Sequence, residues 1–171
     1  MNNFITGGIS GAITDPYSDD AIRHAEMYYE EIRKNHSDVT KIAHNTSLNY
    51  DQVLLIKQYL FFNVHDLEGG IRRFDASFEI AQSWQRLSFD PQNIKPHDLT
   101  LLSHELTEID YVNHGMSQKD AHIKASEEYP YAKECKKYYE QLDIKNQDIN
   151  IYNNRNSGAI CIDDYNDIEE R

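Results

Sequence analysis

Side chains able to do acid–base or metal chemistry crowd residues 95–122, KPHDLTLLSHELTEIDYVNHGMSQKDAH. Among them are His97, Asp98, His104, Glu105, Glu108, Asp110, His114 and His122, which include four of the chain's eight histidines. Imidazole titrates near neutrality, and a carboxylate beside it can orient the ring or share a metal ion with it. An enzymatic function would therefore centre here. The same residue types would equally suit a solvated helix face.

Within this stretch, His104 and Glu108 stand four residues apart in His104-Glu105-Leu106-Thr107-Glu108, which puts both on one face of a helix. They could share a divalent metal, or Glu108 could orient the imidazole for base catalysis. Zinc peptidases of the H-E-x-x-H type need a second histidine where this chain has Glu108. A second constellation is His97-Asp98. With His65 before it and Asp110 or Asp143 after it, the order follows that of all-α metal phosphohydrolases. Asp98 follows Pro96, however, and also suits a helix cap. A third is His65-Asp66 with Arg72 and Arg73, followed by Trp84-Gln85-Arg86. Arginine can clamp a phosphate with two hydrogen bonds, so Arg73 suits an anion site as well as a structural ion pair. Trp84 reads as core. The candidate catalytic set is His104 as base or ligand, Glu105 and Glu108 as its carboxylate partners, His97 as a second acid–base group and Arg73 as a phosphate clamp. His104, Glu108 and His65 are the candidate ligands for a divalent metal, and His122 is held in reserve.

These side chains need helices to position them, and the periodicity supplies helices. Residues 1–17 read as linker, because Gly7, Gly8, Gly11 and Pro16 interrupt any regular period. Ser18 is a good cap for a helix over 19–34, with Asp19 and Asp20 in its first turn. Residues 38–62 form a helical pair. Asp38 caps a short first helix, and Tyr50, Val53, Leu54, Ile56, Leu60 and Phe61 mark a longer second one. The segment 63–75 has Gly69 and Gly70 at its centre and predicts a turn or short hairpin. Asp75 caps a helix through about residue 87, and Asp98 caps the next, which Gly115 stops. Ser117 opens a helix of about 118–128. Pro130 opens a last one to about Leu142. Residues 143–171 carry seven acids and three bases, and predict a loosely attached or partly strand-forming tail.

The expected architecture is mainly α. It is a compact bundle of about six to seven helices, with a short irregular or hairpin insert near 63–75 and a polar C-terminal tail. The division is linker 1–17, helical domain 18–142 and acidic tail 143–171. Ala43, Ser47, Val53 and Ile56 also fall at helix–turn–helix spacing. The second helix of that pair carries one basic residue, Lys57, so it reads as a packing unit.

Composition narrows the function further. At 171 residues the chain is long enough for one core, and its formal charge is −12. The basic footprint usual in nucleic-acid binders is missing overall, although a local basic patch would still permit a nuclease. Cys135 and Cys161 are too few for a disulfide framework. No apolar run is long enough for a membrane span. The N-terminus lacks the charged start of a secretory leader, so the expectation is a cytoplasmic chain or a piece of a larger protein.

Four motifs in order carry a family resemblance over residues 15–139: DPYSDDAIRHAEMYYEEIRK, DVTKIAHNTSLNYDQVLLIKQYLF, HDLEGGIRRFDASFEIAQSWQRL and HDLTLLSHELTEIDYVNHGMSQKDAH. The string resembles a helical domain at the C-termini of bacterial polymorphic toxins, of the contact-dependent inhibition, Rhs and phage head-morphogenesis fusion types. Asn2-Asn3 ahead of a Gly-rich segment resembles the end of the VENN junction that precedes such regions. The resemblance implies a toxin domain, secreted or delivered from the cell surface as part of a larger protein and acting in the target-cell cytoplasm. It implies a hydrolase, with nucleic acid as the substrate class, and a cognate immunity protein as partner. The alternatives are a helical interaction or adaptor module without activity, and a helix–turn–helix DNA-binding domain.

Overall fold

The computed structural model describes Ile13 and residues 15–157, with side-chain surroundings as far as residue 150. The expected junction at residues 2–3 and the apolar run 159–162, with Cys161, lie outside the described residues. Within them the chain is mainly helical, with seven α-helices and one small hairpin among the described residues. The order is α1 (Asp19–Lys34), α2 (Asp38–Asn45), α3 (Tyr50–Phe61), β1 (His65–Leu67), β2 (Gly70–Arg72), α4 (Phe78–Phe89), α5 (Pro96–Asn113), α6 (Gln118–Glu128) and α7 (Tyr131–Ser157). No helix among the described residues is long and apolar enough to cross a membrane.

Local chemistry accounts for most of the boundaries. The Ser18 hydroxyl accepts the Ala21 N–H and starts α1. Asn49 and Gln52 form a reciprocal capping box at the start of α3. β1 and β2 pair antiparallel, with His65 opposite Arg72 and Leu67 opposite Gly70. Their turn needs glycine, because Gly69 and Gly70 have φ of 97° and 120°. Gly115, at φ 92°, lets the chain leave α5 and turn back into α6.

Four boundaries differ from the reading of the sequence. Asp38 lies inside the first turn of α2, its carboxylate bound to Lys57 and Trp84, and Ser37 holds the cap position. The cap of α4 is Ser77, which accepts the Ile80 N–H, while Asp75 is exposed and pairs with Arg72 at 2.6 Å. Helix α5 starts earlier than expected, with Pro96 in its first position. Asp98 is therefore inside the first turn, where its carboxylate reaches back to the Lys95 N–H at 2.8 Å. Helix α7 runs past Leu142 to Ser157, where a loosely attached or partly strand-forming tail was expected. No Pro or Gly interrupts residues 131–157, and polarity alone does not end a helix.

The core forms around α4, whose residues 81–88 are all buried. Trp84 is fully buried, and the ring of Phe61 meets it edge-on at 5.0 Å. Helices α1, α2 and α5 pack around α4. Val39, Ile42, Val53 and Ile56 are buried where α2 and α3 meet, so this pair is a packing unit. Lys57 is also buried, with its ammonium 2.7 Å from Asp38, which takes the one basic side chain of α3 away from any DNA backbone. Helices α5 and α6 also pack on each other, and α6 touches β1. That pair positions the site described next.

Candidate functional site

His104 and Glu108 stand one turn apart on the buried side of α5, and His122 projects from α6 to meet them. The Glu108 carboxylate oxygen Oε2 lies 2.7 Å from His122 Nδ1 and 3.2 Å from His104 Nε2. The two ring nitrogens are 3.4 Å apart. His104 and Glu108 are sealed, at 5% and 3% side-chain exposure, whereas His122 is 60% exposed. The cluster is thus rooted in the core and opens to solvent on one side.

The two buried members are held from behind. His104 Nδ1 lies 3.0 Å from the carbonyl oxygen of Tyr129. A carbonyl only accepts, so this nitrogen carries the proton and Nε2 is left to face the cluster. The second oxygen of Glu108, Oε1, accepts the Tyr59 hydroxyl at 2.9 Å and the Gln118 amide. Gln118 also donates to the Tyr59 oxygen at 2.6 Å. One carboxylate oxygen is therefore occupied by the scaffold, and the other is directed at the two imidazoles.

Charge in the cluster is uneven. Burial alone would raise the pKa of Glu108, but hydrogen bonds from His122 and Tyr59 and the charge of His122 oppose it and hold the carboxyl low. The hydrogen bond to Glu108 raises His122 above the ordinary histidine value. Glu105 behaves oppositely. Burial, then the charge of Glu108, pushes its carboxyl well above the usual range. Burial and Glu108 also raise Tyr59, which remains a phenol donor.

The structure brings together only part of the set expected from sequence. His104 and Glu108 meet, and Glu105 lies beside them, buried. His97 belongs to a separate network near the start of α5, where Arg86 grips Asp98 through two hydrogen bonds of 2.8 and 2.7 Å. Arg86 also donates to His97 Nε2 at 3.0 Å, so that nitrogen accepts and the ring is neutral; burial lowers its pKa. Arg73 is exposed after β2, where its charge acts on Glu30 of α1 and not on the cluster. His65 is no ligand here. Its Nε2 donates to the Tyr59 carbonyl at 2.8 Å and its ring stacks on Phe74 at 4.0 Å, so it supports Tyr59. The His65, His97-Asp98 and Asp110 order does not converge. Among the described residues, only His104, Glu108 and His122 bring three such groups within reach of one ion.

His122 moves from reserve to member, and Tyr59 and Gln118 are new. Gln118 and His122 are four apart on α6, as His104 and Glu108 are on α5. Two such pairs across a glycine turn are a signal readable in sequence. Tyr59 has none, because it arrives from 49 residues away.

The arrangement can hold a proton or a cation between two imidazoles and a carboxylate, with water reaching it past His122. No protein-family model matches the chain, and neither a curated protein nor a solved structure matches it.

Proposed function

We propose that this chain is a hydrolase whose water-activating centre is His104, Glu108 and His122. We further propose that it serves as the toxin domain of a polymorphic toxin system, acting in the target-cell cytoplasm and neutralised by a cognate immunity protein. The observation that carries the hydrolase reading is the convergence of three acid–base atoms from two helices on one solvent-reached point, with His104 and Glu108 each oriented by a partner outside the cluster. A cluster that served only to hold α5 to α6 would not need an open side. The toxin setting is supported by the ordered motifs of residues 15–139. It points to a nucleic-acid phosphodiester as substrate class. With a formal charge of −12, a polyanion meets little fixed positive charge, so the centre itself must offset the charge of the reacting group.

The test is induction of the full chain in a bacterial host, followed by inspection of the host's DNA, ribosomal RNA and transfer RNA. Growth arrest with cleavage of one of these is expected. Glu108→Gln and His122→Ala chains, made in equal soluble amounts, should be harmless. Toxicity that survives loss of His104, Glu108 and His122 together would remove this centre from the mechanism. Absence of toxicity and cleavage would leave the adaptor reading in its place.

A further inference from the structure

We infer that this centre is a metal site, taking one zinc-class divalent ion on His104 Nε2, Glu108 Oε2 and His122 Nδ1. The inference deepens the proposed hydrolase by naming what activates its water, but its evidence is separate. Three protein ligands of N, N and O type with a fourth position left for water are the pattern of catalytic zinc. The H-E-x-x-H helix was lacking its second imidazole at residue 108, and α6 supplies it through His122.

The spacing fits an ion. Ligand atoms about 2.05 Å from a tetrahedral ion stand about 3.3 Å from one another. The two separations from His104 Nε2 are 3.2 and 3.4 Å. The third, 2.7 Å between His122 and Glu108, would have to open by about half an ångström. His122 is the exposed member and has room to move.

The outer contacts fit as well. Ligating histidines donate their other N–H to a carbonyl or carboxylate, as His104 does to Tyr129. That tautomer aims a lone pair at a carboxylate oxygen, a repulsive contact unless a second proton or a cation sits between them. Tyr59 and Gln118 occupy Glu108 Oε1 and leave Oε2 to bind.

Charge compensation points the same way. The buried Asp98 has Arg86, and the buried Asp38 has Lys57. Among the described residues, Glu108 pairs with no lysine or arginine, only with the two histidines. An ion here would let bound water release its proton to solvent near neutral pH.

The test uses the untagged full chain, stripped with a chelator and titrated with zinc chloride by calorimetry and equilibrium dialysis. One equivalent per chain is expected, with a rise in melting temperature. Cobalt in place of zinc should give the visible absorption of a four-coordinate ion. His122→Ala, at an exposed position that leaves the fold intact, should weaken zinc binding at least 100-fold and abolish the cobalt spectrum. Tyr59→Phe should weaken binding about 10-fold. His114→Ala, an exposed histidine one turn beyond Asp110, should change nothing. The site is overturned if the folded wild-type chain takes up no zinc, or if His122→Ala and Glu108→Gln bind as well as wild type. Zinc binding without cleavage of host nucleic acid would uphold the site and remove the hydrolase. Cleavage by the stripped chain would do the reverse.

Discussion

Helix α5 carries two histidine–carboxylate clusters of nearly the same composition and opposite construction. At its start, His97 and Asp98 are sealed, and Arg86 supplies the cation that a buried carboxylate requires. Two turns later, His104 and Glu108 are as deeply placed, yet their third member is an exposed histidine. In the first cluster the fixed guanidinium satisfies both partners, leaving nothing for a ligand to do. In the second the group facing the carboxylate is His122, an imidazole that solvent reaches and that can take up or release a proton. The difference lies in who provides the cation: a side chain locks a network, and an exchangeable proton or ion makes it available for chemistry.

The hardest way to break this comparison is to remove the fixed cation. Arg86→Met leaves Asp98 charged and alone in the core, and should cost about 3–5 kcal/mol. Pairing it with Asp98→Leu should recover much of that loss, because an uncharged pair of similar volume pays no desolvation. Urea unfolding of both variants reads the effect. If Arg86→Met costs less than about 1 kcal/mol, Asp98 is being satisfied from elsewhere and the contrast between the clusters fails.

A smaller loss is expected at the open cluster. Glu108→Gln keeps the shape and a carbonyl for Tyr59 and removes the charge. It should cost about 1–2 kcal/mol, the scale of weakened charge-assisted hydrogen bonds, while eliminating cleavage and metal uptake. A variant that stays active, or one that unfolds as badly as Arg86→Met, would mean that Glu108 is structural.

The contrast between the clusters could not be read from the sequence, although much else could. Ser18, Ser117, Gly115 and the Gly69-Gly70 turn each carry a local signal strong enough to place an element end. Asp75 and Asp98 carry similar signals, but Ser77 and Pro96 compete with them within two residues, and local chemistry does not rank such rivals. The length of α7 was hidden because its polarity resembled a tail. The pair His104 and Glu108 was legible from its spacing of four. His97 looked equally reactive, since nothing local reveals that Arg86 will reach it from another helix. Burial and tertiary partners decide the role of a histidine, and both are set by packing.

Titration separates the clusters with the smallest expected effect. His97 is held below its ordinary value by burial, as is His24, whose Nε2 accepts the Gln82 amide at 2.8 Å. A histidine lowered in the folded state contributes stability that is fully present above its unfolded pKa of about 6.5 and lost as pH falls below it. His122 is raised by Glu108, so its contribution is fully present below about 6.5 and lost as pH rises through its higher folded value. Nuclear magnetic resonance of the imidazole protons should therefore sort them, with His122 titrating above about 6.5 and His24 and His97 below it. Glu108→Gln should bring His122 down towards the ordinary value and leave His97 where it was. If the His97 midpoint moves with this change, the two clusters are coupled along α5 and cannot be treated as separate devices.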